Sequence, residues 1–310
     1  MAAIGQTSSD VEAAPVERVK PRRPFSIRQW ISAVVILLFA AWVVNLFATN
    51  ANMRWDVVRN YLFDPQVTEG VKGTIELTVL GQAVAVALGI VIALLQQTRN
   101  TVNVLFAGFY IWFFRAVPLL VQLLFWFNIG ILLPTIGFTL PFTNYGFSAN
   151  TNDLISGFTA AILGLGLHEA AYMAEIVRAG ILSVPQGQMD AALSIGMERG
   201  SAMRRIILPQ TLRVIIPPTG NQFIGLLKAS SLVSAIGGGD LLTRIEYLYG
   251  QNFLVIPMLI VATIWYVAMV AVASIIQHFI ESGLRSSTAA GPTFSTRVIR
   301  NLFSIHPKRA

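Results

Sequence analysis

The chain has 310 residues, of which 55% are hydrophobic and only 12% are charged. Soluble domains usually carry about twice that charged fraction, so the composition argues against a soluble protein and for a membrane protein. Cysteine is absent, which excludes disulfide bonds and thiolate metal sites. The formal net charge of +7 leaves nucleic acid and anionic lipid as candidate partners until the basic residues are placed.

Six apolar segments are long enough to cross a hydrocarbon core about 30 Å thick. In chain order they lie at roughly 30–49, 71–96, 104–133, 154–179, 214–236 and 253–281. The first exceeds the apolar core of about 7 to 15 residues found in a signal peptide, so it predicts a retained helix. The polar, proline-containing ends at 1–29 and 284–310 predict basic tails that do not fold.

The basic residues are distributed unevenly over the loops that these segments define. Arg54, Arg59 and Arg244 fall clearly on one side, whereas most other lysines and arginines fall on the side of both termini. Cytoplasmic loops carry such an excess. Topology therefore accounts for the positive charge without a nucleic-acid partner, and both termini are predicted to be cytoplasmic.

The inner segment at 184–213 carries helical apolar periodicity, interrupted at Gly196 and ending at Pro209. This pattern predicts two short amphipathic helices. An interfacial hairpin lying on lipid would give the same periodicity, so the pattern alone does not distinguish the two.

A motif in the same segment resembles the signature of bacterial ABC importer permeases. That signature is EAA, three residues, Gly, nine residues, Ile, one residue and Leu-Pro. The chain matches every gap with Asp190-Ala191-Ala192, Gly196, Ile206 and Leu208-Pro209, Asp190 standing in place of glutamate. The stretches 114–123, 171–181 and 228–232 are similar to the polar amino-acid branch of this family, and the likeness runs from about 70 to 283.

The resemblance implies an all-α integral membrane protein with a five-helix type I importer core at 70–283 and an extra N-terminal helix at 30–49. It also implies a coupling segment at 184–213 that docks on an ATP-binding subunit. The residues expected to take part in coupling are Gln188, Asp190, Ala191, Ala192, Gly196, Leu208 and Pro209.

Partners and cargo follow from the same resemblance. The implied assembly contains two ATP-binding subunits, a second permease copy or a sister permease, and an extracytoplasmic solute-binding protein. It imports polar amino acids by alternating access across the bacterial plasma membrane. A P-loop needs Gly-Lys-Ser or Gly-Lys-Thr, and none of the four lysines is so placed. The chain is therefore predicted to be no enzyme and to bind no cofactor, with ATP and magnesium held by the partner.

Ionisable residues at bilayer depth are costly and need a partner or a function. Glu169 lies nine residues before Arg178 at the inner end of its segment, so it is roughly 14 Å deep. We expect it to bind a cationic group of the solute, and Arg115 to bind the solute carboxylate. Glu76, His168, Gln122 and Tyr172 complete the predicted substrate-binding set, while the residues assigned to structure or gating are Lys228, Pro118, Asn221 and Ser230.

Three alternatives stay open on the sequence. Glu76, Arg115 and Glu169 could neutralise one another as a buried ion-pair network. Glu76, Glu169 and His168 could instead form the proton relay of an ion-driven secondary transporter, although no internal repeat supports that reading. The chain could also be a structural membrane anchor for another complex, against which the polar residues at mid-membrane argue.

Overall fold

The computed structural model describes residues 27–139 and 146–286, so most of both predicted tails lies outside the described residues. The described chain is mainly helical, as predicted, and its α-helices are α1 (Ile27–Thr49), α2 (Trp55–Tyr61), α3 (Pro65–Gln96), α4 (Thr101–Ala116), α5 (Leu119–Phe127), α6 (Ile129–Leu132), α7 (Thr151–Leu154), α8 (Gly157–Leu182), α9 (Gln186–Ser194), α10 (Arg199–Ala202), α11 (Leu208–Ala229), α12 (Leu241–Asn252) and α13 (Val255–Ser286).

Shorter elements complete the architecture. Ala51–Met53 and Ser230–Ile236 are 3-10 turns, and Met203–Ile207 is a π-helical turn that joins α10 to α11. In the loop between α6 and α7, β1 (Thr135–Thr139) pairs antiparallel with β2 (Gly146–Asn150).

The described residues form two compact units, which divide between Ala51 and Asn52. In the first unit, α1 is apolar over its length from Trp30 to Thr49 and is long enough to span a membrane. Its large hydrophobic side chains are exposed within the unit. An all-round apolar helix of this length is stable when lipid surrounds it.

Four described helices, α1, α3, α8 and α13, are long and apolar enough to cross a membrane. The predicted third crossing at 104–133 is not one straight helix, because α4 and α5 meet at a bend of 100°. Counting that pair as one span gives up to five. The predicted segment at 214–236 forms α11 and a 3-10 turn and is not among these spans, so the prediction of six crossings is not confirmed.

Small residues form the seam between α3 and α8. They recur every four positions on both helices: Gly81, Ala85 and Gly89 on α3, and Gly166, Ala170 and Ala174 on α8. A Cβ atom on Gly89 would lie 2.6 Å from the Cβ of Met173. In a membrane, where the surroundings are as apolar as the protein, helices associate through such close backbone approach.

The start of α12 is fixed against α3. The Thr74 hydroxyl accepts a hydrogen bond of 2.9 Å from the backbone N–H of Leu241, and a Cβ on Gly73 would overlap the Gly239 carbonyl oxygen. Asp240 caps the helix by accepting from the Leu242 N–H at 2.9 Å. Burial raises the pKa of the Asp240 carboxyl above its ordinary value, and hydrogen bonds from Thr243 and Leu242 oppose that shift.

Candidate functional site

The bend between α4 and α5 positions the first group of candidate residues. Pro118 has no N–H, so the Phe114 carbonyl loses the partner that it would have in a continuous helix. The Gln122 side chain replaces that partner, since its Nε2 lies 3.0 Å from the Phe114 carbonyl oxygen and 2.9 Å from that of Val117. Gln122 and Pro118 therefore shape the break in the helix.

Polar and aromatic side chains cluster where this bend meets α8. Nε2 of Gln122 lies 3.0 Å from Nδ1 of His168, and the His168 and Tyr172 ring centroids are 5.3 Å apart. The Arg115 guanidinium carbon lies 5.2 Å from the centroid of the Tyr172 ring, which favours a cation–π contact. The structure thus brings together Arg115, Gln122, His168 and Tyr172, and no described carboxylate forms an ion pair with Arg115.

Glu169 lies on a neighbouring side of α8, against α11. Its side chain is buried, with 7% exposed, and its Oε1 accepts a hydrogen bond of 2.5 Å from Nε2 of Gln222. Its described partner is a neutral amide and not a cation. A neutral amide does not cancel the charge of an ionised carboxylate, so Glu169 can still form a charge-assisted hydrogen bond with a cationic group.

Sequence reasoning missed Gln222. The side chain of Gln122 was the only amide among the residues predicted to bind substrate. Gln222 stands next to Asn221 in the predicted segment at 214–236, and a polar amide at that depth also requires a partner. Including amides would have found the residue, although not its contact with Glu169.

Glu76 is placed apart from these groups. It lies on an exposed face of α3, and its carboxylate is 3.9 Å from the ammonium of Lys72. The described part of the chain contains no ion pair among Glu76, Arg115 and Glu169, so the structure does not support the alternative of a buried ion-pair network. No described hydrogen bond joins Glu76 to His168 or Glu169 as the proton-relay alternative requires.

Residues expected to serve structure or gating occupy α11 and the turn that follows it. Asn221 accepts a hydrogen bond of 3.1 Å from Nε2 of Gln277, which ties α11 to α13 beside the helix-interior prolines Pro217 and Pro218. Ser230 is buried and donates to the Leu227 carbonyl at 2.7 Å. Lys228 is exposed in the described chain. Within residues 27–139 and 146–286, no group of three His, Asp or Glu side chains could hold a metal ion.

The second candidate site is the hairpin formed by α9, α10 and the π-helical turn. Gly196 has a φ of +82° and ends α9. Its N–H donates to the Leu193 carbonyl at 3.0 Å, and the Met197 N–H donates to the Ala192 carbonyl at 3.1 Å. This pair of bonds is a Schellman motif, which favours glycine because of the positive φ.

The hairpin has a packed side and an exposed side. Ala192 and Ala202 are buried where α9 meets α10, so Ala192 lies inside the hairpin. The residues left exposed include Gln188, Asp190, Ala191, Leu208 and Pro209. Ile195, beside Gly196, is 77% exposed.

Comparisons with known proteins show which family the chain resembles. Residues 85–286 match the family described as binding-protein-dependent transport system inner membrane component. The arginine transport system permease protein ArgU of Corynebacterium glutamicum is 39% identical over 280 residues, which cover 89% of this chain and 85% of that relative. The arginine transport system permease protein ArtQ of Bacillus subtilis is 32% identical over 72% of this chain and 94% of its own length.

One solved structure has a similar fold. A crystal structure described as an amino acid ABC transporter with histidines aligns with a TM-score of 0.60 and 34% identity. The alignment covers 71% of this chain and 94% of that one.

Proposed function

The chain belongs to the family of binding-protein-dependent transport system inner membrane components and is a permease subunit of an amino-acid ABC importer, and we propose that its cargo is a polar, cationic amino acid. Movement occurs by alternating access across the bacterial plasma membrane, driven by ATP hydrolysis on another subunit. Two relatives that are named as arginine transport permeases support the substrate class.

The observation that carries this proposal is the buried carboxylate of Glu169. Within the membrane, the neutral partner Gln222 leaves the charge of an ionised Glu169 uncompensated, which is costly. A cationic solute group compensates that charge at the moment it binds. Across α8, the guanidinium of Arg115, which no described carboxylate neutralises, is available to the solute carboxylate. The two charges are opposite in sign to the two ends of a cationic amino acid.

The hairpin formed by α9, α10 and the π-helical turn supports a separation of roles, in which this chain forms the pathway and another subunit hydrolyses ATP. Each ATP-binding subunit docks on the exposed side of α9, which presents Gln188, Asp190, Ala191 and Ile195, and transmits its closure through the π-helical turn into α11. ATP and magnesium belong to that partner. A second permease completes the pathway, an extracytoplasmic solute-binding protein delivers cargo, and both termini of this chain face the cytoplasm.

Reconstitution with the ATP-binding and solute-binding partners tests the function. We expect ATP hydrolysis and vesicle uptake to be stimulated by arginine, lysine or histidine, and much less by glutamate or leucine. Equal stimulation by acidic and apolar amino acids would remove the proposed specificity. Uptake that continues without ATP and stops when the proton gradient is collapsed would favour the secondary transporter.

Substitution of Gly196 tests the coupling role. We expect Gly196→Ala to reduce solute-stimulated ATP hydrolysis severalfold, because a Cβ at this positive φ costs about 1–2 kcal/mol and displaces the tip of α9. Gly196→Asn is the matched control, since asparagine tolerates the left-handed region and should retain most of the stimulation. Stimulation in the alanine variant equal to that of the wild type would show that this turn does not position the docking surface.

A further inference from the structure

A cavity of about 740 Å³ lies among α3, α8, α11 and α13. Its walls are largely aliphatic and aromatic, with Val86, Met173 and Phe223 among them. Most of its few polar side chains are engaged elsewhere. Thr219, for example, donates to the Ile215 carbonyl at 2.9 Å, and Gln277 donates to Glu281 at 2.8 Å.

Two polar side chains of this cavity have no described hydrogen-bond partner. Gln82 is only 8% exposed, and both its Oε1 and its Nε2 are unpartnered. Thr211 is buried as well, and its Oγ1 is unpartnered. The great majority of buried polar groups have a hydrogen-bond partner. A buried amide whose nitrogen and oxygen both lack a partner therefore requires an explanation.

Gln82 lies at a level along the axis of α8 that is close to that of Glu169. A Cβ on its neighbour Gly81 would be 3.3 Å from the Cβ of Leu165, so Gln82 is level with that part of α8. Four residues along α8 correspond to roughly 6 Å. Glu169 is one turn from Met173, which lines the cavity, and residues four apart share a helix face. Gln82 therefore lines the cavity, and the buried carboxylate of Glu169 lies about one helical turn away from its level along α8.

We propose that Gln82 contacts the solute and, together with Glu169, sets a preference for a guanidinium over a primary ammonium. This inference rests on the proposed function. A guanidinium carries five N–H donors and an ammonium three, and one oxygen of Glu169 already accepts from Gln222. Oε1 of Gln82 accepts a guanidinium N–H that the carboxylate leaves free. The apolar walls next to it accommodate the aliphatic stem of the solute.

The test is direct binding of radiolabelled arginine and lysine to the purified permease and ATP-binding complex, without the solute-binding protein. We expect Gln82→Met to weaken arginine binding about tenfold, the factor given by about 1.4 kcal/mol, and to weaken lysine binding less. The melting temperature of the complex should stay the same or rise, because an apolar side chain of similar size replaces an unpaired buried amide.

Thr211→Val is the matched control, because it removes the other unpaired polar atom of the same cavity. Thr211 lies near Gly180, since a Cβ added to that glycine would be 3.4 Å from the Thr211 methyl group, and it is therefore roughly 16 Å from the level of Glu169. We expect the same direction of change in melting temperature and unchanged binding of both amino acids.

Each outcome decides the proposal. Wild-type arginine affinity in Gln82→Met, or a lowered melting temperature that accompanies equal losses for arginine and lysine, overturns it. If Glu169→Gln weakens binding while Gln82→Met does not, the Gln82 subsite is wrong and the proposed function stands. If the wild-type complex is competent in ATP hydrolysis but binds no cationic amino acid, the proposed specificity and the subsite both fail.

Discussion

Replacement of Glu169 by glutamine is expected to weaken binding of a cationic amino acid by roughly ten- to a hundredfold. The substitution preserves the size of the side chain and allows a hydrogen bond with Gln222, so it removes mainly the charge. A hydrogen bond to a charged group contributes about 1.5–3 kcal/mol, and each 1.4 kcal/mol is a factor of ten in affinity. Direct binding and solute-stimulated ATP hydrolysis in the assembled importer measure the effect.

Glu175→Gln is the control for this experiment. Glu175 lies on the same helix and pairs with Arg178 at 2.7 Å, and both side chains are partly exposed. Because a partly exposed ion pair contributes little, this variant should bind solute as the wild type does. Unchanged affinity and specificity in Glu169→Gln, with the complex intact, would remove Glu169 from the solute site.

The second large effect is expected at the seam between α3 and α8. Gly89→Leu should prevent stable folding of the permease, because the first added carbon would already lie 2.6 Å from the Met173 Cβ and 3.1 Å from the Ala174 backbone nitrogen. Backbone atoms cannot move aside as the end of a side chain can. Extra methylene groups in a well-packed core typically cost about 1–3 kcal/mol and occasionally more, and Gly89→Leu adds four carbons at a site with no free space.

Gly108→Leu is the matched control for the seam. Gly108 is in the interior of α4, and a Cβ there would meet nothing within 4 Å. Leucine is also the better helix former, so we expect expression and melting temperature to be equal to or higher than in the wild type. Comparable yields of folded, monodisperse protein from the two variants would show that the close approach of α3 and α8 is not required.

Together, the two predictions separate the function of α8 from its packing. One face of α8 carries small residues that allow α3 to approach, and a neighbouring face carries Glu169, which we propose recognises the solute. A seam that holds α8 against α3 keeps Glu169 at a fixed position relative to Gln82. Under this proposal, solute recognition also depends on residues that make no contact with the solute.

Several properties could be predicted from the sequence because each depends on residues that are close together in the chain. The length and apolarity of a helix such as α13 depend on consecutive residues, and so does the twenty-residue motif that contains Gly196. The positive φ at Gly196 follows from the same short segment. The family and the mainly helical fold could be predicted without knowing which helices are in contact.

The pairing of residues distant in the chain was decided only by the tertiary structure. Glu169 and Gln222 are 53 residues apart, and Gln122 and His168 are 46 apart. An apolar segment is hydrophobic on every side when lipid covers it, so its sequence does not mark which face meets another helix. Close approach of small residues fixes that choice in three dimensions, and with it the surroundings of every buried polar group.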